Sequence, residues 1–386
     1  MKISMKKTKK VFMLGALSAA LAGCGFFDTD NTPPPTPLKN FSSEKNAHTL
    51  WSTRVGWGVG TDYLKLGPYV SEKAVFAANR DGTIIATDKM TGNKLWITYT
   101  NVRISAGPTA QEGLVIIGSR EGDVIALNQQ DGKIAWQVKV STEVLAAPAI
   151  SDGTVIIKAI DGKVVALSLK DGHTLWNYKE AEPALILRAA STPQISHNNV
   201  VIGFANGSLA KLSLQDGGLL WKENLAYPEG IFAIQRMIDI DANPVIFNNR
   251  LYAAGYQGKV AAIDLSSGKS FWTQDVSSYS GIAVDETQVY VSNAKSDLTA
   301  FSAESGASAW RQAKLEDRNI TGPAMMDNYL VVGDEQGYLH WINKQDGRFI
   351  ARIKVGGEGI LSTPIVNNNV VYVLTRDGHL AAYTLS

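Results

Sequence analysis

The chain has 386 residues, 45% hydrophobic and 19% charged, with 35 Gly and one Cys. A lone Cys excludes an intramolecular disulfide framework and multi-Cys zinc or iron–sulfur sites; low charge with abundant Gly excludes a coiled coil or a disordered chain. The net charge of +1 conceals an asymmetry, because five lysines and no acid fall within the first 23 residues, leaving 32 basic against 36 acidic residues in the remainder. That balance is a poor start for nucleic-acid binding.

The N-terminus reads as an address and a tether. Lys2, Lys6, Lys7, Lys9 and Lys10 precede an apolar stretch from Val11 to Leu21, the pattern of a secretory leader too short to remain as an anchor. It ends in Leu21-Ala22-Gly23-Cys24, which resembles a bacterial lipobox, where small residues precede a Cys that is lipidated and becomes the mature N-terminus. Gly25 stands where an Asp would signal inner-membrane retention in such lipoproteins, so the resemblance implies the periplasmic leaflet of the outer membrane. Acyl chains contribute about 0.8 kcal/mol per buried methylene, so several of them hold a protein firmly on lipid. Residues 28–43 are rich in Thr, Pro, Asn and Ser, the composition of an extended, semi-rigid spacer. The expected organisation is a leader over 1–23, a lipidated Cys24 with its tether over 24–45, and one folded domain over 46–386.

That domain is a repeat of about 40 residues. Pro68, Pro108, Pro148, Pro193, Pro244, Pro323 and Pro364 are each followed fourteen residues later by Gly82, Gly122, Gly162, Gly207, Gly258, Gly337 and Gly378; Ile282 and Ser296 stand in for the pair in the sixth unit. A second Gly follows, as at Gly92, Gly132 and Gly172, and four residues beyond it comes a Trp: 96, 136, 176, 221, 272 and 310, with Ala351 as the exception. The eighth unit stops short of its Trp, and the missing piece lies at the other end, where Asn46–Trp51 mirrors Asp171–Trp176. Each unit holds four β-rich runs separated by Gly, Asn or Asp-Gly turns. Four-stranded antiparallel units repeated around an axis make a β-propeller; the expected fold is all-β, with eight blades and a ring closed by an N-terminal strand that completes the last blade. The repeat Ala-x-Asp-x-x-x-Gly-x-x-x-Trp, as at Ala86–Trp96, resembles the tryptophan-docking motif of quinoprotein dehydrogenase propellers. Seven equivalent tryptophans around a ring suit packing between blades rather than one ligand.

Little in the chain carries chemistry. Asp81, Asp131, Asp161, Asp171, Asp216, Asp346 and Asp377 all fall in turns, where Asp stabilises the bend. The five histidines have no metal-pair spacing, and the adjacent Cys pair of many quinoprotein enzymes cannot exist. No catalytic residue, cofactor or metal site is expected.

Information remains where the repeat is irregular. All length variation falls between a Trp and the next Pro, in connections that share one face of the disk; two of the three long ones, 176–193 and 221–244, are consecutive. They contain Pro183-Ala184-Leu185-Ile186-Leu187-Arg188 and Gly230–Asp241, apolar residues beside Arg and paired Asp. Such content fits a protein-contact site with aliphatic anchors and charges that fix register; it equally fits residues folded back over the channel mouth.

The lipobox, the eight Trp-motif units and the run Gly337-Tyr338-Leu339-His340-Trp341-Ile342-Asn343 resemble the BamB family, lipoprotein subunits of the outer-membrane β-barrel assembly machine. The resemblance implies a non-catalytic scaffold that docks on the periplasmic POTRA domains of the barrel-inserting subunit and aids barrel insertion. Unfolded outer-membrane proteins are a second candidate partner, and outer-membrane lipid is engaged through Cys24. It maps the family's docking residues onto Leu185, Leu187, Arg188, Asp239 and Asp241. The competing functions are a lipid-anchored propeller for cell-wall or polysaccharide binding, and a quinoprotein dehydrogenase.

Overall fold

The structure, a computed structural model, describes residues 33–60, 62–187, 191–232, 234–356 and 358–386. The expected leader, Cys24 and Arg188 lie outside these residues. Pro35–Ser386 forms one unit, in which the described residues make eight four-stranded antiparallel sheets and no helix. The second blade is representative: Ile104–Gln111, Leu114–Ser119, Asp123–Asn128 and Ile134–Lys139 pair in that order from the axis outward. First strands of successive blades touch around the axis, as Ala149–Ser151 does with Gln194–Ser196. Middle strands are covered on both faces by neighbouring blades, which is why Val115-Ile116-Ile117 and Val155-Ile156-Ile157 are fully buried, β-branched runs without polar alternation. The expected eight-bladed propeller is the observed fold.

The ring closes as the repeat arithmetic requires. Ala47–Arg54 pairs antiparallel with His379–Leu385, from Ala47 opposite Leu385 to Arg54 opposite His379, and completes the blade formed by Ile365–Asn367 and Val370–Leu374. Asn46 and Ser386 exchange backbone hydrogen bonds of 3.1 and 3.0 Å beyond the last pair. Closure leaves no inter-blade edge open.

Seven indoles join blade to blade. The ring nitrogens of Trp51, Trp96, Trp136, Trp176, Trp221, Trp272 and Trp310 donate to the carbonyls of Lys89, Gln129, Leu169, Leu214, Leu265, Ala303 and Lys344 in the following blade, at 2.8–3.1 Å. Each indole lies on the second Gly of that blade. At Gly132, φ is 70° and a Cβ would sit 2.5 Å from the Trp96 ring, so only Gly satisfies both the left-handed turn and the approach.

Two departures from the repeat have local explanations. Small residues usually oppose the Trp across the sheet, as Ala86 opposes Trp96 and Ala382 opposes Trp51. In the seventh blade the pair is inverted, with fully buried Trp341 opposite Ala351. Its indole N–H points to the Met326 sulfur at 3.3 Å. Ser296, which replaces the first Gly of the sixth blade, keeps the left-handed conformation with φ of 70°; its hydroxyl accepts from the Ile320 N–H at 3.3 Å.

Residues 36–44, counted with the tether by composition, run along the outer strand of the seventh blade, Phe349–Lys354. Thr36 N–H donates to the Glu316 carbonyl at 3.1 Å, and Glu44 N–H donates to that of Ile350 at 3.0 Å. Leu38 packs on the blade's core, Phe41 lies 5.5 Å from Phe349, and Arg352 sits over Phe41. A buried network supports this strap. Arg318 donates to Asp334 at 2.8 Å and to the Thr36 carbonyl at 2.9 Å. His340 Nε2 donates to Asp334 at 2.9 Å, while its Nδ1 accepts from Arg352. Burial lowers the His340 pKa despite the carboxylate beside it, which fits this neutral tautomer.

The inverted pair yields a test. Trp341→Ala should destabilise the propeller by about 3–5 kcal/mol, and Ala351→Trp alone should destabilise through overpacking. The double variant should recover part of the loss, since the new indole fills the emptied volume but meets no glycine in the split eighth blade. Denaturant melts of the three variants give the coupling; additive losses would show that the two positions do not share one volume.

Candidate protein-docking site

Strand direction alternates within each blade, so all eight connections from an outer strand to the next inner strand emerge on one face. The two consecutive long ones have buried stems and exposed tips. In the first, Glu180 accepts from Lys222 at 2.6 Å, Asn206 at 2.9 Å and the Tyr178 hydroxyl at 3.0 Å, which fixes the departure from the third blade. Glu182 turns inward, and burial raises its pKa. Leu185 is exposed, and Ile186 and Leu187 are half-buried.

The second connection leaves the fourth blade at Leu225 and Ala226, both buried, and turns outward at Tyr227. Gln235 Oε1 accepts from the Ile231 and Phe232 N–H groups at 3.1 Å each, and Gln235 and Arg236 N–H donate to the Phe232 carbonyl. This single turn projects Ile231, Phe232 and Ile234 into solvent, with Ile231 90% exposed. The chain then dives: Ile238, Asp239, Ile240, Asp241 and Ala242 are all buried. Asn243 Oδ1 accepts from the Thr192 N–H at 2.7 Å, so the two connections are tied together at their inner ends.

Asp239 and Asp241 therefore face inward, whereas the family resemblance mapped them onto the docking surface; the residues alone had left both placements open. Tyr256 N–H donates to the Asp239 backbone carbonyl at 2.7 Å, but neither carboxylate oxygen of Asp239 has a hydrogen-bond partner among the described residues. Burial, reinforced by the charges of Asp241 and Glu182 and opposed by Lys158 and Lys65, pushes its pKa up to about 7. Asp241 is paired with Lys65 at 2.7 Å, and the same ammonium donates to the Tyr279 carbonyl at 2.8 Å.

Lys65 belongs to the third long connection, 55–68, which precedes the first blade. The first and fifth blades are opposite in an eight-membered ring, so this connection crosses the channel mouth to reach Asp241. It is held on its own side by Asp62, 2.7 Å from Arg80, and by the Gly60 carbonyl, which accepts from Arg376 at 2.9 Å. Sequence reasoning registered its length and drew nothing from it. Likewise Ile231, Phe232 and Ile234 were legible as apolar but not as the most exposed part of the site. Among the described residues no group of His, Cys, Asp or Glu is arranged to hold a metal. The turn aspartates act as turn residues, as where Asp131 and Asp161 accept from Lys133 and Lys163 N–H at 3.1 Å.

The raised Asp239 pKa gives a pH signature. Between about pH 4 and 7 the folded form keeps a proton that the unfolded form has released, so stability from this group falls as pH rises through that window. Asp239→Asn has no such proton. Its melting temperature relative to the native protein should therefore increase from pH 5 to pH 8; a pH-independent difference would place the titration elsewhere.

The family described as outer membrane protein assembly factor BamB matches residues 42–103, 80–312 and 294–386. The BamB of Yersinia pestis is 35% identical over 97% of this chain and 99% of its own length; that of Pseudomonas aeruginosa is 39% identical over 96% and 97%. The crystal structure of BamB from Moraxella catarrhalis superposes with a TM-score of 0.81 at 26% identity, covering 88% of this chain and 99% of that one. With an eight-bladed ring, long paired connections on one face and this similarity along its whole folded length, the chain belongs to the BamB family of outer-membrane protein assembly factors.

Proposed function

We propose that the protein is a non-catalytic scaffold of the outer-membrane β-barrel assembly machinery, held on the periplasmic face by a lipidated Cys24. It docks through Leu185, Leu187 and Arg188, extended by Ile231, Phe232 and Ile234, on the POTRA domains of the barrel-inserting subunit. Asp239 and Asp241 act from beneath, holding the second connection in place through buried contacts. The observation that carries this reading is the pairing of exposed aliphatic and aromatic tips with fixed, buried stems on two connections joined by the Thr192–Asn243 hydrogen bond. A rigidly presented apolar patch favours association because little ordering entropy is lost on binding, and each fully covered side chain contributes about 1.5–3 kcal/mol.

The decisive experiment separates binding from folding. Leu185→Asp, Phe232→Asp or Arg188→Glu should abolish co-purification with the barrel-inserting subunit, with stability changed by no more than about 0.5 kcal/mol at the exposed Leu185 and Phe232. Asp241→Ala leaves the Lys65 ammonium half-buried without its partner and should destabilise by about 1–3 kcal/mol. Retained co-purification in the tip variants, or loss that tracks a lowered melting temperature, would overturn the docking assignment.

The anchor has its own test. Cys24→Ser should fold normally yet fractionate away from outer-membrane lipid; mature, membrane-bound Cys24→Ser protein would show that another element holds it there.

A further inference from the structure

The chain crosses the rim of the disk twice before the first blade begins. In each blade the outer strand runs from the far face, where it leaves its hairpin turn, to the face that bears the docking connections. Phe349–Lys354 is the outer strand of the seventh blade, and residues 36–44 lie along it in the opposite direction. Glu44 N–H meets the Ile350 carbonyl near the start of that strand, and the Lys39 carbonyl accepts from Arg352 at 3.2 Å. Thr36 N–H then meets the Glu316 carbonyl, in a connection on the docking face. At the far face Asn46 bonds to Ser386, and Ala47–Arg54 returns to the docking face as the outer strand of the eighth blade. Contacts hold the strap along its length. Buried Arg318, paired with Asp334, gives a second N–H to the Thr36 carbonyl. Leu38 packs beside Trp310 and Phe349, Phe41 lies on Phe349 and under Arg352, and Glu44 reaches Arg348 at 2.9 Å. Ile134 and Leu219, which match Phe349 in the second and fourth blades, are left 48% and 51% exposed.

We infer that residues 36–44 are an orienting strap, which carries the exit of the membrane tether from the far face to the docking face and so turns the docking connections toward lipid. The inference rests on the lipidated Cys24 of the proposed function. Without the strap the tether would begin at Asn46 on the far face, about 20 Å away across a six-residue strand. The strap also shortens the leash. Residues 25–35, fully extended, span at most about 40 Å, against roughly 75 Å for residues 25–46. A barrel-inserting subunit is held in the same membrane, so fixing the exit and the reach raises the effective concentration of the docking face at its partner.

The test uses residues 25–386 with a histidine tag in place of Cys24, bound to phosphatidylcholine vesicles that hold a nickel-chelating lipid and a rhodamine-labelled lipid. Cys24 is the only Cys in the chain, so one introduced cysteine takes fluorescein at one place. Lys314→Cys marks the docking face and Gln345→Cys the far face, and both positions are exposed. Energy transfer to the vesicle should be stronger from residue 314 than from residue 345. Leu38→Ser combined with Phe41→Ser frees the strap, and that preference should vanish or invert. Inserting about ten Gly and Ser residues between Thr32 and Pro33 lengthens the leash by a similar amount but leaves the exit in place. Transfer should then fall at both sites with the preference for residue 314 kept. Equal transfer from the two faces of the tagged chain, or loss of the preference on insertion, would overturn the inference. So would a preference that survives strap release while the melting temperature falls, because the strap would then only shore up the seventh blade. The tag stands in for the lipid, so these outcomes are independent of Cys24 acylation, which the Cys24→Ser fractionation decides by itself.

Discussion

An indole resting on a glycine of the next blade is the contact on which this molecule depends. It is geometric before it is energetic. The ring needs a residue with no Cβ and a left-handed backbone beneath it, and its N–H needs a carbonyl of the same neighbouring turn. Those demands fix the distance from turn to Trp within a blade and the orientation of one blade on the next. They also explain why insertions accumulate in one place only. A residue added inside a blade would carry the Trp off its glycine, whereas one added between an outer strand and the next inner strand costs little beyond loop closure.

Function follows from that tolerance. The three long connections are not loose additions, because each is fastened to the ring at its base: Glu180 by three donors, the second connection by Asn243 and the buried Ile238–Ala242 run, the third by Asp62 and Lys65. The Lys65–Asp241 pair spans the channel mouth and couples opposite sides of the ring. A partly desolvated ion pair adds modest net stability, but removing one member leaves the other uncompensated. This makes the face behave as one surface rather than as independent loops.

Much of this was legible in the residues. A spacing of fourteen, ten and four that recurs around the chain can be satisfied only by identical units, and Trp51, lying ahead of the first unit, had to complete the last. Other features were hidden because they depend on neighbours that one dimension does not show. The Ala351 exception makes sense only beside Trp341, its cross-strand partner ten residues away. Asp239 and Asp241 alternate with Ile238 and Ile240, a pattern that ordinarily puts acids outside; here both faces of the segment are enclosed by neighbouring blades and by the crossing connection. Thr and Pro enrichment made residues 28–43 read as spacer, and the two large apolar residues within it, Leu38 and Phe41, are those that pack.

The split blade also sets an order of events. Ala47–Arg54 is among the first parts of the folded unit to leave a ribosome or a translocation channel, and its hydrogen-bonding partner, His379–Leu385, is the last. No other strand offers it this register, so it waits until nearly the whole chain has emerged. Pairing across so long a separation carries a large loop-closure cost and is slow. During that interval the incomplete ring exposes an unpaired edge at each end, a period in which the growing chain needs shielding from its own kind.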